Sequence, residues 1–216
     1  MKNFILMFDW DGTICDSFEA GKDAMIELLN SQGFRLNNEI YMRLYSPNWQ
    51  VYYEYFRIPN DKWPELDSLW LKYYKKRHKK LFSDALYVKK IANYSTVGVI
   101  TSGYRDRVEK EIKDMGFEDV FHFSVYGDDV KNKKPDPESI LYALRKIHSP
   151  NMLNINLKKT CFYIGDSLDD IKMALNANIN AIFVNRSNSI GNNIPDYCKH
   201  VKSLYEIDKI VYGGVI

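Results

Sequence analysis

Five short stretches of nearly unbroken apolar residues constrain this 216-residue chain more than any other feature. They are Phe4–Phe8, Val97–Ile100, Phe121–Val125, Cys161–Ile164 and Ala181–Val184. A strand wetted on one face alternates apolar with polar residues; a strand covered on both faces does not. Runs of this length without alternation predict a parallel sheet flanked by helices. Amphipathic segments fall between the last four runs: Arg105–Met115 before Gly116, Pro137–Ile147 after Asp136, and Leu168–Ala177 before Asn178. Gly and Asn accept the left-handed conformation that ends helices, and Asp followed by Pro suits a helix start. The alternation of strand and helix predicts α/β architecture.

Residues 18–93 break that rhythm and contain no clear buried strand. Phe18–Asn30, 41–57 and 61–81 read as helices, punctuated by Pro47, Pro59 and Pro64. Eleven of the 34 residues from 41 to 74 are aromatic, against 14% for the chain, which predicts a separate small core there. The expected organisation is one sheet domain from 1–17 and 84–216, interrupted by a helical insertion at 18–83.

Composition removes several classes. Apolar residues make up 45% of the chain, so it is not disordered. Lys and Arg number 30 against 28 Asp and Glu, so the molecule as a whole is not built to bind polyanions, and no nucleic acid partner is expected. No apolar window reaches the roughly 18 residues of a membrane helix, and the apolar N-terminal run ends too early, at Asp9, for a signal peptide. Cys15, Cys161 and Cys198 have neither disulfide nor metal spacing and read as reduced thiols in a cytoplasmic protein. The glycosylation sequons at Asn93 and Asn185 carry no weight in that compartment.

Four segments carry candidate chemistry, each at the end of an apolar run. In Asp9-Trp10-Asp11-Gly12, two aspartates leave the strand toward the same side, because side chains alternate with a period of two. Carboxylates forced together require a proton or a cation between them. Taken alone, the segment is equally a loop with a capping Asp. Gly165-Asp166-Ser167-Leu168-Asp169-Asp170 offers more acids than helix capping needs, and oxygen ligands without His or Cys suit Mg²⁺. Thr101 and Ser102, ahead of a helix start, can hold a phosphate or simply cap that helix. Lys134, before Pro135, is kept extended and outside the helix, where it can present an ammonium to an anion or rest in solvent.

In this order, FDWDGTICDS, ITSG, KKPDP and GDSLDD resemble the four motifs of the haloacid dehalogenase (HAD) superfamily, over nearly the whole chain. The resemblance is closest to the phosphoglycolate phosphatase-like branch and implies a Rossmann-like three-layer core, with 18–83 as a helical C1 cap. It implies Asp9 as the nucleophile and Asp11 as the general acid and then base. Thr101, Ser102 and Lys134 would bind the phosphoryl group. Mg²⁺ would be held by Asp9, the Asp11 carbonyl and Asp166, with Asp170 behind them. Dehalogenases of the superfamily lack an acid at the Asp11 position, so phosphate chemistry is expected rather than halide chemistry. The implied function is a phosphatase of a small phosphorylated metabolite, phosphoglycolate-like or a sugar phosphate, in a monomer or homodimer. A phosphomutase of the β-phosphoglucomutase type shares these residues, and a non-catalytic binding protein could share the fold. Two places depart from the family pattern. Ser83-Asp84-Ala85 stands where a Pro-Gly pair is common, and Asn185-Arg186 where a Gly is common.

Within the insertion, Lys72, Lys75, Lys76, Arg77, Lys79 and Lys80 form a basic run. Such runs are most simply a solvated helix face; the alternative is steering of an anionic substrate, or contact with a nucleic acid or an acidic partner. Tyr52, Tyr53, Tyr55, Trp63 and Trp70 are expected mainly in the core of the insertion. His78, His122, His148 and His200 are dispersed and read as non-ligands.

Overall fold

The computed structural model describes residues 4–46, 48–147, 157–186 and 198–213. The chain divides into two compact units, Met1–Cys15 with Leu81–Ile216, and Asp16–Lys80. His148 lies outside the described residues, as does Pro47. The strands in chain order are β1 (Ile5–Phe8), β2 (Cys15–Asp16), β3 (Lys80–Leu81), β4 (Thr96–Ile100), β5 (Phe123–Val125), β6 (Cys161–Gly165), β7 (Asn180–Val184) and β8 (Lys199–Val201). The helices are α1 (Phe18–Ser31), α2 (Asn38–Leu44), α3 (Gln50–Tyr55), α4 (Trp63–Lys75), α5 (Tyr87–Ile91), α6 (Arg105–Asp114), α7 (Glu138–Ile147), α8 (Leu157–Thr160), α9 (Leu168–Asn176) and α10 (Ile207–Val211).

The first unit is a six-stranded parallel sheet in the order β5-β4-β1-β6-β7-β8. The pleat sends Leu6 and Phe8 of β1 to one face, where Val88 and Ile91 of α5 and Val108 and Ile112 of α6 cover them. It sends Ile5 and Met7 to the other face, against Ile140 and Leu144 of α7 and Ile171 and Met173 of α9. Both faces of β1 are thus buried, which is why its sequence shows no alternation. Each such side chain contributes roughly 1.5–3 kcal/mol on leaving water. The result is the three-layer, Rossmann-like α/β core.

The sheet also sets the level of the site. Phe8 pairs with Val99 of β4 and with Ile164 of β6, so the three central strands end within a residue of one another. The chain builds outward from β1 to β4 and β5, then returns to the other side for β6, β7 and β8. The carboxyl end of β1 is therefore the switch point where open α/β sheets place ligands.

Some expectations need correction. The apolar run at 121–125 yields strand only from Phe123; His122 just before it is tied to Val97 of β4 by its amide, which donates to the Val97 carbonyl at 2.8 Å, and by its ring, which accepts from the Val97 amide at 3.1 Å. Strand β8 has no apolar run to announce it: Lys199 and His200 are exposed and only Val201 is buried.

In the second unit, the helix expected over 41–57 is two helices, α2 and α3. Asn37 starts α2 early, its side chain accepting from the Ile40 amide at 2.8 Å. Polar side chains hold the turn between them, with Ser46 accepting from the Asn48 amide and Asn48 from the Gln50 amide. Helix α4 stops at Lys75, where the Lys79 ammonium donates to the carbonyls of Tyr74 and Arg77 at 3.2 and 3.0 Å. Arg77 pairs with Glu27, so part of the basic run is used inside its own unit. Tyr52 and Tyr53 are buried with Met25, Leu28, Leu29 and Leu66, and Tyr52 stacks on Tyr41 at 4.8 Å. Tyr55 instead is 45% exposed. Among the described residues, no helix is long and apolar enough to cross a membrane.

Candidate active site

Asp9 is the first residue after β1, its amide still bonded to the Ile164 carbonyl at 2.9 Å. That bond fixes its backbone in the sheet, and its side chain is buried. The Lys134 ammonium lies 2.7 Å from Asp9 Oδ1 and 2.7 Å from Asp170 Oδ1, bridging two carboxylates from different strand ends. It also sits over the Tyr163 ring, whose hydroxyl donates to the Ile100 carbonyl at 2.8 Å.

Asp166 follows β6, and its Oδ1 accepts from the Thr13 hydroxyl at 3.1 Å. Gly12, at φ +79°, lets the turn after Asp9 pass this carboxylate. A Cβ at Gly12 would lie 2.2 Å from Asp166 Oδ2, so no larger residue fits. Asp170 opens α9 in a capping box. Its Oδ2 accepts from the Ser167 amide at 2.9 Å and hydroxyl at 2.7 Å, while Ser167 Oγ accepts from the Asp170 amide.

One oxygen each from Asp9, Asp166 and Asp170 lies within 4.8 Å of the others. Three acids against one ammonium leave an excess of negative charge in a poorly solvated place. Burial, with Asp170 and Asp166 nearby, pushes the Asp9 carboxyl well above its usual range, although Lys134 pulls the other way. Burial and the Asp170 charge push Asp166 up to about 7. Lys134 is desolvated too, but the charges of Asp170 and Asp9 outweigh that and hold it firmly as an ammonium. A donor set made only of carboxylate oxygens, with acids that take up protons for want of positive charge, fits a hard divalent cation.

Thr101 is buried at the end of β4, and its Oγ1 accepts from the Gly103 amide at 3.0 Å, which leaves its own hydrogen to donate. Ser102 is partly exposed beside it. Asp11 does not join the three acids through its side chain. Its carboxylate takes two bonds from Arg107, Nη2 to Oδ2 at 2.6 Å and Nη1 to Oδ1 at 3.1 Å. Arg107 is buried and also bonds Glu111 at 3.0 Å, and Glu111 accepts from the Trp10 indole at 2.9 Å.

Sequence reasoning missed Arg107, Thr13, Tyr163 and Ser167. The capping pair Ser167–Asp170 was detectable from its three-residue spacing. Thr13 stands inside the first motif but received no role of its own, while Arg107 and Tyr163 act across long separations and left no local signal.

Residues 6–184 match the family model described as haloacid dehalogenase-like hydrolase. The chain is similar to pyrophosphatase PpaX of Bacillus velezensis, 26% identical over 80% of this chain and 78% of that protein. It is 33% identical to phosphoglycolate phosphatase of Psychrobacter arcticus over 40% of this chain and 35% of that one. Among solved structures, YfnB of Bacillus subtilis bound to magnesium superposes with a TM-score of 0.71, at 21% identity, covering 98% of this chain and 99% of that one. At that identity the likeness is one of fold.

Proposed function

Since the chain belongs to the haloacid dehalogenase-like hydrolase family, we propose that it is a magnesium-dependent phosphatase of a small phosphorylated metabolite. One observation carries this reading: a buried carboxylate at the end of the central strand, Asp9, ion-paired to Lys134 at 2.7 Å and clustered with Asp166 and Asp170. A carboxylate attacks a phosphate dianion poorly because like charges repel. Lys134 meets that difficulty with a fixed positive charge facing Asp9.

In the proposed reaction, Asp9 forms a bond to phosphorus as the bond to the leaving oxygen breaks, giving an aspartyl phosphate. Asp11 supplies the proton that the leaving oxygen takes up. Water then attacks phosphorus, Asp11 recovers a proton from it, and phosphate departs as Asp9 is restored. For both duties Asp11 must turn out of its two bonds with Arg107. The Thr101 hydroxyl and Ser102 donate to phosphoryl oxygens, and Lys134 stays charged throughout. Asp9, the Asp11 carbonyl and Asp166 would hold magnesium, which supplies charge neutralisation on the transferring group, with Asp170 behind them on Lys134.

We take 18–83 as the helical cap that selects the substrate. The relatives named pyrophosphatase and phosphoglycolate phosphatase support two substrate classes, a diphosphate and a phosphorylated small carboxylic acid. Buried, unbridged thiols at Cys15, Cys161 and Cys198 suit a reducing compartment such as the cytoplasm.

The test is hydrolysis of p-nitrophenyl phosphate, diphosphate and a panel of phosphorylated metabolites, with magnesium and with chelator. Turnover should require magnesium and vanish in Asp9→Asn. Full activity of the purified Asp9→Asn protein, or turnover indifferent to chelation, refutes the reading.

A further inference from the structure

The two places where the chain departs from its family pattern meet in the fold. Arg186, just beyond β7, places Nη1 2.6 Å from Asp84 Oδ2, the buried residue that follows β3 by three positions. The same Asp84 oxygen accepts from the Ser203 hydroxyl at 2.7 Å and the Leu204 amide at 2.8 Å, which anchors it to the C-terminal part of the sheet unit. The other fork of Arg186, Nη2, donates to the Thr13 carbonyl at 2.6 Å. Thr13 is fully buried in the turn after Asp9, and its hydroxyl reaches Asp166 at 3.1 Å. The guanidinium plane is further held over the Phe82 ring at 4.2 Å.

We propose that Arg186, oriented by Asp84, is a positioning residue that sets divalent-cation affinity by fixing Thr13 and, through it, the Asp166 carboxylate. Groups one step behind metal ligands fix ligand orientation, and their loss weakens metal binding. Here hydrogen bonds lead from Asp84 to Arg186 and on to the Thr13 carbonyl, the Thr13 residue itself carries the link to its hydroxyl, and a last hydrogen bond reaches Asp166. The planar fork is what matters, because only a guanidinium spans the Asp84 carboxylate and the Thr13 carbonyl in one rigid group.

The inference rests on the proposed metal site, and the experiment separates the two. Magnesium binding to the substrate-free protein is measured by isothermal titration calorimetry for the wild type, Arg186→Lys, Arg186→Met and Thr13→Val, with urea unfolding of each. Lysine keeps the charge facing Asp84 but not the fork. Arg186→Lys should therefore unfold near the wild-type midpoint yet bind magnesium about tenfold more weakly. Thr13→Val, which cuts the last link, should weaken binding similarly. Should Arg186→Met fail to fold, the lysine and valine variants decide the matter. Variants that fold and bind magnesium as tightly as wild type overturn this inference alone. A wild-type chain that binds no magnesium overturns the metal-site reading as well.

Discussion

Arg107 grips both carboxylate oxygens of Asp11, at 2.6 and 3.1 Å, and Glu111 holds Arg107 from behind at 3.0 Å. Arg107 and Glu111 are both nearly excluded from water, at 7% exposure each. Removing one partner of a buried pair leaves the other charge uncompensated, at a cost of about 3 kcal/mol. Arg107→Met should therefore lower the urea unfolding free energy by about that amount. Adding Glu111→Gln should restore part of it, since glutamine can still accept from Trp10 without burying a charge. Equal stability of Arg107→Met and wild type would contradict the role given to the pair.

Asp11→Asn removes the proposed proton donor, so its effect should depend on the leaving group. For an alkyl phosphate, whose leaving oxygen needs the proton, kcat should fall by about 10²–10⁴. For p-nitrophenyl phosphate, whose phenolate leaves unaided, the fall in the first chemical step should be much smaller. Single-turnover rates on the two substrates make the comparison. Equal losses on both would remove Asp11 from the acid role.

The acid cluster predicts how the metal-free protein responds to pH. Asp9 holds its proton well above the ordinary carboxylate range, and Asp166 holds its own to about 7, against 3.8 for an ordinary aspartate. Between those limits the folded chain binds more protons than the unfolded one. By linkage, this share of stability is present in full at the acid end and is lost as pH rises through the window. Urea unfolding in chelator should show wild type falling relative to Asp166→Asn from about pH 4 to pH 7. Magnesium should reduce the difference, because the cation takes the place of the protons. A wild type that gains on the variant across that window has the opposite sign and defeats the assignment.

Gly12→Ala should damage the site from the backbone outward. Its φ of +79° is left-handed, and the new Cβ would meet Asp166 at 2.2 Å. The conformation alone costs alanine about 1–2 kcal/mol. The larger expected effect is displacement of Asp166, read as a loss of magnesium affinity by calorimetry. Unchanged affinity would mean that the close approach of Gly12 to Asp166 has no bearing on metal binding.

Legibility in the sequence followed the physics of burial. Strands β1, β4, β6 and β7 were readable because both of their faces are covered. Strand β8 was not, since Lys199 and His200 face water and one buried valine makes no pattern. The break between α2 and α3 had a signal in Ser46-Pro47-Asn48, but aromatic residues continue on both sides of it, which made 41–57 read as one helix. Asp9, Asp11, Thr101, Lys134 and Asp166 stood out as chemistry-bearing residues at strand ends, and the fold brings Asp9, Lys134, Asp166 and Asp170 together. Arg107 did not stand out. It lies in a helix rich in charge, RDRVEKEIKD, where one arginine looks like any other until the helix packs. Its partner Asp11 is 96 residues away, and Thr13 is 173 residues from Arg186, distances over which local pattern carries no information.

The two oxygens of Asp170 answer to different demands: one starts α9, the other faces Lys134. Asparagine there could still begin the helix but would withdraw a charge from the ammonium, and alanine would undo both at once. Two separate demands thus fall on the two atoms of a single side chain, and of these three residues only aspartate meets both.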